Sequence, residues 1–112
     1  MFSCNENNKK EKNSFIGIWT TQYLEHLPGV TDFIMHQKFT IYSNGSYSIY
    51  SISHLQPENK GSLTTGTWEE KNGQICFTEE GGFCWCIDYL WISKNQWEYT
   101  DERGESGFLT RQ

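Results

Sequence analysis

Four cysteines, three histidines and fourteen carboxylates carry most of the reactive chemistry in this chain, and their spacing decides what that chemistry is. Cys84-Trp85-Cys86 places two thiols at i and i+2, which on a strand share one face. A three-residue loop at Glu80-Gly81-Gly82 pairs Phe77 with Trp85 and sets Cys76 opposite Cys86. A Cys76–Cys86 disulfide across adjacent strands then fits an oxidising compartment, whereas a turn shifted by one residue favours Cys84. Free thiols are a second reading. Zinc held by Cys76, Cys84 and Cys86 is a third, although the spacing is not that of a C-x-x-C knuckle.

The histidines and acids point away from catalysis. His26, His36 and His54 show neither H-x-H nor H-E-x-x-H spacing, so no metal and no cofactor is expected. His36 is out of phase with Phe39 and should face outward. Glu69-Glu70, Glu79-Glu80, and Asp101-Glu102 with Glu105 fall at hairpin ends. Paired carboxylates hydrolyse glycosides when they converge on one bond. Neighbours on a strand point to opposite faces, so these pairs read as solvated turns. Glu70 differs, because its register turns it inward near a rim, where it orients a ligand or reaches water. No catalytic residues are assigned, and the chain is expected not to be an enzyme.

The elements that position these side chains are strands. Alanine is absent, leucine is sparse and aromatics make up 16% of the chain, a strand-forming composition. The length suits one domain. A net charge of −5 argues against a nucleic-acid partner, and the one basic cluster, Lys9-Lys10-Glu11-Lys12, is interrupted by acid. No apolar run approaches the roughly 20 residues of a membrane span.

Asn72-Gly73 is a strong type I′ hairpin signal, setting Trp68 opposite Phe77 and Glu70 opposite Ile75. At Asn44-Gly45 a two-residue turn would set Phe39 against Tyr50. A three-residue loop with a glycine bulge sets Ile41 against Tyr47 and Phe39 against Ile49, gathers four large apolar side chains on one face, and is preferred. Eight strands are expected: Phe15–Tyr23, Phe33–Tyr42, Ser46–Ser53, Ser62–Glu70, Gln74–Thr78, Phe83–Ile92, Gln96–Thr100 and Ser106–Arg111. The sixth is apolar on both faces, so it is central or bent by a bulge. Leu24 to Asp32 and His54 to Gly61 read as loops, the former with room for one helical turn. Sequential hairpins leave two open edges that closure removes. The expected fold is therefore all-β: a small antiparallel up-and-down meander barrel of about eight strands, wide enough for packed side chains or one small ligand. Residues 15–112 form this domain, and residues 1–14, polar and aperiodic, form a disordered N-terminal tether.

Two resemblances add to this reading. Gly17-Ile18-Trp19 at the head of the first strand resembles the G-x-W signature of lipocalins and related calycins. Phe39-x-Ile41-x-x-Asn44-Gly45-x-Tyr47, followed by Gly66-Thr67-Trp68 and Asn72-Gly73, is similar to small bacterial lipocalin-like domains of the kind found on lipoproteins. The resemblance implies that Arg111 in the last strand lies over Trp19, with Gly17, Trp19 and Arg111 structural. Separately, Phe2-Ser3-Cys4 followed by a polar stretch resembles a lipoprotein processing site, with Cys4 lipidated and the domain in the cell envelope. The alternative is a free Cys4 in the N-terminus of a cytoplasmic protein.

The expected function is non-enzymatic binding of a small hydrophobic or aromatic molecule in a barrel mouth. Tyr47, Trp68, Phe77, Trp85 and Glu70 are the candidate ligand contacts, although so many aromatics serve equally as core. The alternative is a protein-binding or hydrolase-inhibitor domain acting through its loops and an exposed strand face.

Overall fold

A computed structural model of the chain describes residues 14–26, 28–29, 31–53 and 61–112. Cys4, His54 and the expected tether up to residue 13 lie outside the described residues. Eight strands follow one another: β1 (Gly17–Glu25), β2 (Phe33–Ile41), β3 (Ser46–Ser53), β4 (Ser62–Lys71), β5 (Gln74–Glu79), β6 (Cys84–Ser93), β7 (Gln96–Thr100) and β8 (Ser106–Arg111). Each pairs antiparallel with the next, and β8 returns to β1 to close a barrel. The seam holds Trp19 beside Arg111 and Thr20 beside Thr110. There the Gln112 N–H donates to the Ile18 carbonyl at 2.9 Å. The described residues contain no helix.

Turn chemistry sets the registers. Asn72 (φ 55°) and Gly73 (φ 81°) make the left-handed pair of a type I′ turn. Trp68 accordingly faces Phe77, and Glu70 faces Ile75. The Asn44-Gly45 hairpin takes the bulged form, with Ile41 opposite Tyr47 and Phe39 opposite Ile49. Phe77 faces Trp85, and Cys76 faces Cys86.

Strand β6 keeps one inward face, formed by Trp85, Ile87, Tyr89 and Trp91. Its register shifts between Trp91 and Ser93 against β7. The pattern looked two-sided because Leu90 and Ile92 point outward, 62% and 52% exposed. His36 is exposed. The first strand starts two residues later than expected, at Gly17. Phe15 instead turns beneath the barrel, its carbonyl accepting the Trp19 indole N–H at 2.8 Å.

The inward residues separate into two ends. At one, Trp19 and Trp97 are fully buried, and Phe15 packs against Trp68, Tyr89, Trp91 and Trp97. The Arg111 guanidinium carbon sits 4.2 Å from the Trp19 ring centroid. Its nitrogens donate to the carbonyls of Ser14, Ile16 and Lys94, tying the last strand to the chain's entry into the first. A Cβ on Gly17 would lie 2.6 Å from Arg111 Nη1, so the glycine makes room for the guanidinium. In the middle, Phe77 packs against Phe39, Tyr47 and Trp85.

On the outer face, a Cys76–Cys86 disulfide joins β5 to β6, while Cys84 is a free, exposed thiol. The sequence separation of the pair is 10. A loop of that length implies a loss of about 2–3 kcal/mol when both cysteines become serine, measured by urea unfolding. Reduction in urea, which opens the buried Cys76, should release two additional titratable thiols, one from each of Cys76 and Cys86. An unchanged thiol count would show that the bond does not form in solution.

Candidate functional site

Opposite the plugged end, the barrel opens. A cavity of about 550 Å³ enters between the inward-facing upper halves of the strands. Its deep wall is apolar, built from Phe39, Ile49, Ile87 and Leu109. Trp85 stands above them, stacked on Phe77 with centroids 4.5 Å apart. The upper wall carries polar handles: Thr21, Thr64, and Gln37, whose Nε2 donates to Ser51 Oγ at 3.0 Å. Tyr23 and Tyr99 complete it.

The rim is acidic. Glu25, Glu79, Asp101, Glu102 and Glu105 line the mouth against a single Arg103. That guanidinium donates to Asp101 Oδ2 and to Glu105 Oε1, both at 3.3 Å. Asp101 Oδ1 in turn accepts the backbone N–H groups of Arg103 and Glu105 at 2.9 Å, so the β7–β8 turn satisfies itself. Burial pushes the Asp101 carboxyl up, but those N–H groups and the guanidinium outweigh it and hold the group below its ordinary value. Burial raises the Tyr23 phenol, with Glu25 adding to it. Burial also raises Tyr99, reinforced by Asp101 and Glu105 and opposed by a hydrogen bond with Thr21.

The five residues picked from the sequence as ligand contacts are not all brought together. Trp85 lines the cavity. Phe77 and Tyr47 are fully buried behind it. Burial, then the Glu79 charge, pushes the Tyr47 phenol up to about 12, and its hydroxyl has no hydrogen-bond partner among the described residues. Trp68 belongs to the plugged end, where its indole N–H donates to the Tyr42 carbonyl at 2.9 Å. Glu70 is near Trp68 and accepts the Tyr89 hydroxyl at 2.5 Å. That hydrogen bond, then burial, raises the Tyr89 phenol to about 12.

Glu79, Asp101, Glu102 and Glu105, read from sequence as solvated turns, line the mouth instead, together with Glu25, which the sequence places in a loop. The signal that finds them is parity. Glu25 is in phase with Trp19 and Glu79 with Phe77, so both face inward at the ends of their strands, and Asp101, one residue past β7, continues the phase of Trp97 and Tyr99.

The chain is a closed, eight-stranded, antiparallel up-and-down barrel with one plugged end and one open, acid-rimmed mouth. No family model matches it, and no curated protein does. Among solved structures it is similar to a de novo designed fluorescence-activating β-barrel. That likeness has a TM-score of 0.45 and 15% sequence identity, covering 88% of this chain and 94% of the designed one.

Proposed function

We propose that the protein is a non-enzymatic binding module that holds one small hydrophobic or aromatic molecule in its open mouth. The observation that carries this is the cavity: about 550 Å³, apolar at depth, with Trp85 on its wall and polar groups above. Ligand sites have that size and that division of labour. The opposite end is packed with Trp19, Trp97 and Phe15.

The barrel is of lipocalin type in this reading, supported by Gly17-Ile18-Trp19 and by the seat of Arg111 over Trp19. It works in the cell envelope, anchored through a lipidated Cys4. The Cys76–Cys86 disulfide favours an oxidising compartment of that kind.

Titration with hydrophobic dyes, fatty acids and haem, followed by intrinsic tryptophan fluorescence, tests the function. At least one aromatic probe should bind and quench emission. Trp85→Ala should weaken that binding about tenfold, the worth of one good aromatic contact. No response to any probe would sink the proposal.

A second reading has its own observation. Leu90 and Ile92 on β6 and Phe108 on β8 are half or more exposed on the outer wall, a surface suited to a protein partner. A domain acting that way binds its partner equally well with Trp85 replaced.

A further inference from the structure

We infer that the open mouth selects an organic cation, an aromatic or amphiphilic amine or quaternary ammonium, with its apolar body against Trp85 and its charge at the carboxylate rim. This rests on the ligand-binding reading above and names the class of ligand.

The argument starts from the charge count at the mouth: five carboxylates against one guanidinium. That guanidinium is already committed, because Arg103 pairs with Asp101 and Glu105 within its own turn. The other close acid–base contacts among the described residues are His26 with Asp32 and Lys71 with Glu69. Glu25, Glu79 and Glu102 therefore have no ion-pair partner there. Two of them, Glu25 and Glu79, stand on strands with inward parity, so the barrel wall fixes their direction.

Such a mouth repels an anion before it reaches the apolar floor. A bare metal ion does not answer the charge either. Among the described residues no three His, Cys, Asp or Glu side chains gather closely enough to hold one. The remaining walls suit a cation with a carbon skeleton. Trp85, Tyr23 and Tyr99 line the cavity, and aromatic rings carry a negative quadrupole that attracts an ammonium group, while burial favours the neutral form of the two phenols. The apolar depth then takes the hydrocarbon part.

Isothermal titration calorimetry on the full chain tests this with three probes built on one naphthyl ring: a trimethylammonium, its uncharged tert-butyl isostere and a carboxylate. The cation should bind about tenfold tighter than the isostere, and the carboxylate most weakly. The advantage should shrink as salt rises to about 0.5 M, because rim charges are screened. Glu25→Gln with Glu79→Gln, checked for native circular dichroism, should narrow the gap between cation and isostere to within about threefold. An isostere that binds as tightly as the cation overturns the inference and leaves the mouth a ligand site. So does a double variant that keeps the full gap. If none of the three probes binds, the ligand-binding reading falls, and the cation preference falls with it.

Discussion

Trp19→Ala should remove about 4 kcal/mol of stability and lower Tm by about 20 °C, the largest loss expected from any single tryptophan. Trp19 is fully buried and lies on β1 at the closing seam, opposite Phe39 on β2 and Arg111 on β8. Its ring packs against Trp91 and Trp97, with centroids 5.8 and 5.9 Å away. Its N–H holds Phe15 beneath the barrel at 2.8 Å. Alanine deletes the ring, orphans the Phe15 carbonyl and leaves the guanidinium of Arg111 without the face it covers. A domain of this size has only about 5–10 kcal/mol in total, so the variant should be partly unfolded at 37 °C. Trp19→Phe keeps most of the volume and loses the hydrogen bond and the better cation–π face, for about 1–2 kcal/mol. Thermal and urea unfolding followed by circular dichroism give both values. A Tm within a few degrees of wild type for the alanine variant would mean the barrel does not depend on its plugged end.

Trp85 provides the contrast. It is only partly buried, on the cavity wall. Its loss should register in binding more than in stability. Two tryptophans of equal size thus report separately on the closed end that folds the barrel and the open end that serves it.

That division was only half legible in the sequence. The seat of Arg111 over Trp19 was legible only through the lipocalin resemblance. Strand order and the two hairpin registers follow from local signals: Asn72-Gly73, the bulged loop at Gly45, and alternation along each strand. These are short-range and steric, so they survive folding unchanged. The site is different in kind. It depends on which height along the barrel each inward residue reaches, and that is set by the stagger of strands far apart in sequence. Parity placed Glu70 and Trp68 correctly on the inner face but could not say that they lie at the plugged end. The same parity applied to Glu25, Glu79 and Asp101 would have put them inside. For Glu79 and Asp101 the position beside turns makes the solvated reading the natural one, and Glu25 falls where the sequence reads as loop. Phe15 misled for a related reason: its apolar side chain continues the strand pattern, while its actual role is to fold under the barrel and fill the bottom.

Gly66 was read only as part of a motif, and its mutation should be the second most damaging. Gly66→Ala is expected to cost about 3 kcal/mol, at the upper end for overpacking, because what the new methyl meets is backbone. Gly66 sits mid-strand, between Tyr47 on β3 and Glu79 on β5. A Cβ there would collide with the Thr78 carbonyl oxygen and lie 2.9 Å from the Glu79 Cα. Neither atom can rotate away as a side-chain tip can, so β4 and β5 must separate locally. The neighbouring Glu80 N–H bond to the Thr65 carbonyl, 3.1 Å long, lies on the same stretch and should weaken with it. Glu79 is carried on the displaced segment, so the rim of the mouth shifts too, and affinity for a bound probe should fall along with stability. Gly81→Ala is the matched control: its Cβ meets nothing within 4 Å. That change should stay within about 0.5 kcal/mol of wild type, as surface substitutions do. Urea midpoints for the two variants decide the matter. Equal midpoints would mean that β4 and β5 do not approach as closely in solution as the glycine requires, and the inward placement of Glu79 would lose its support.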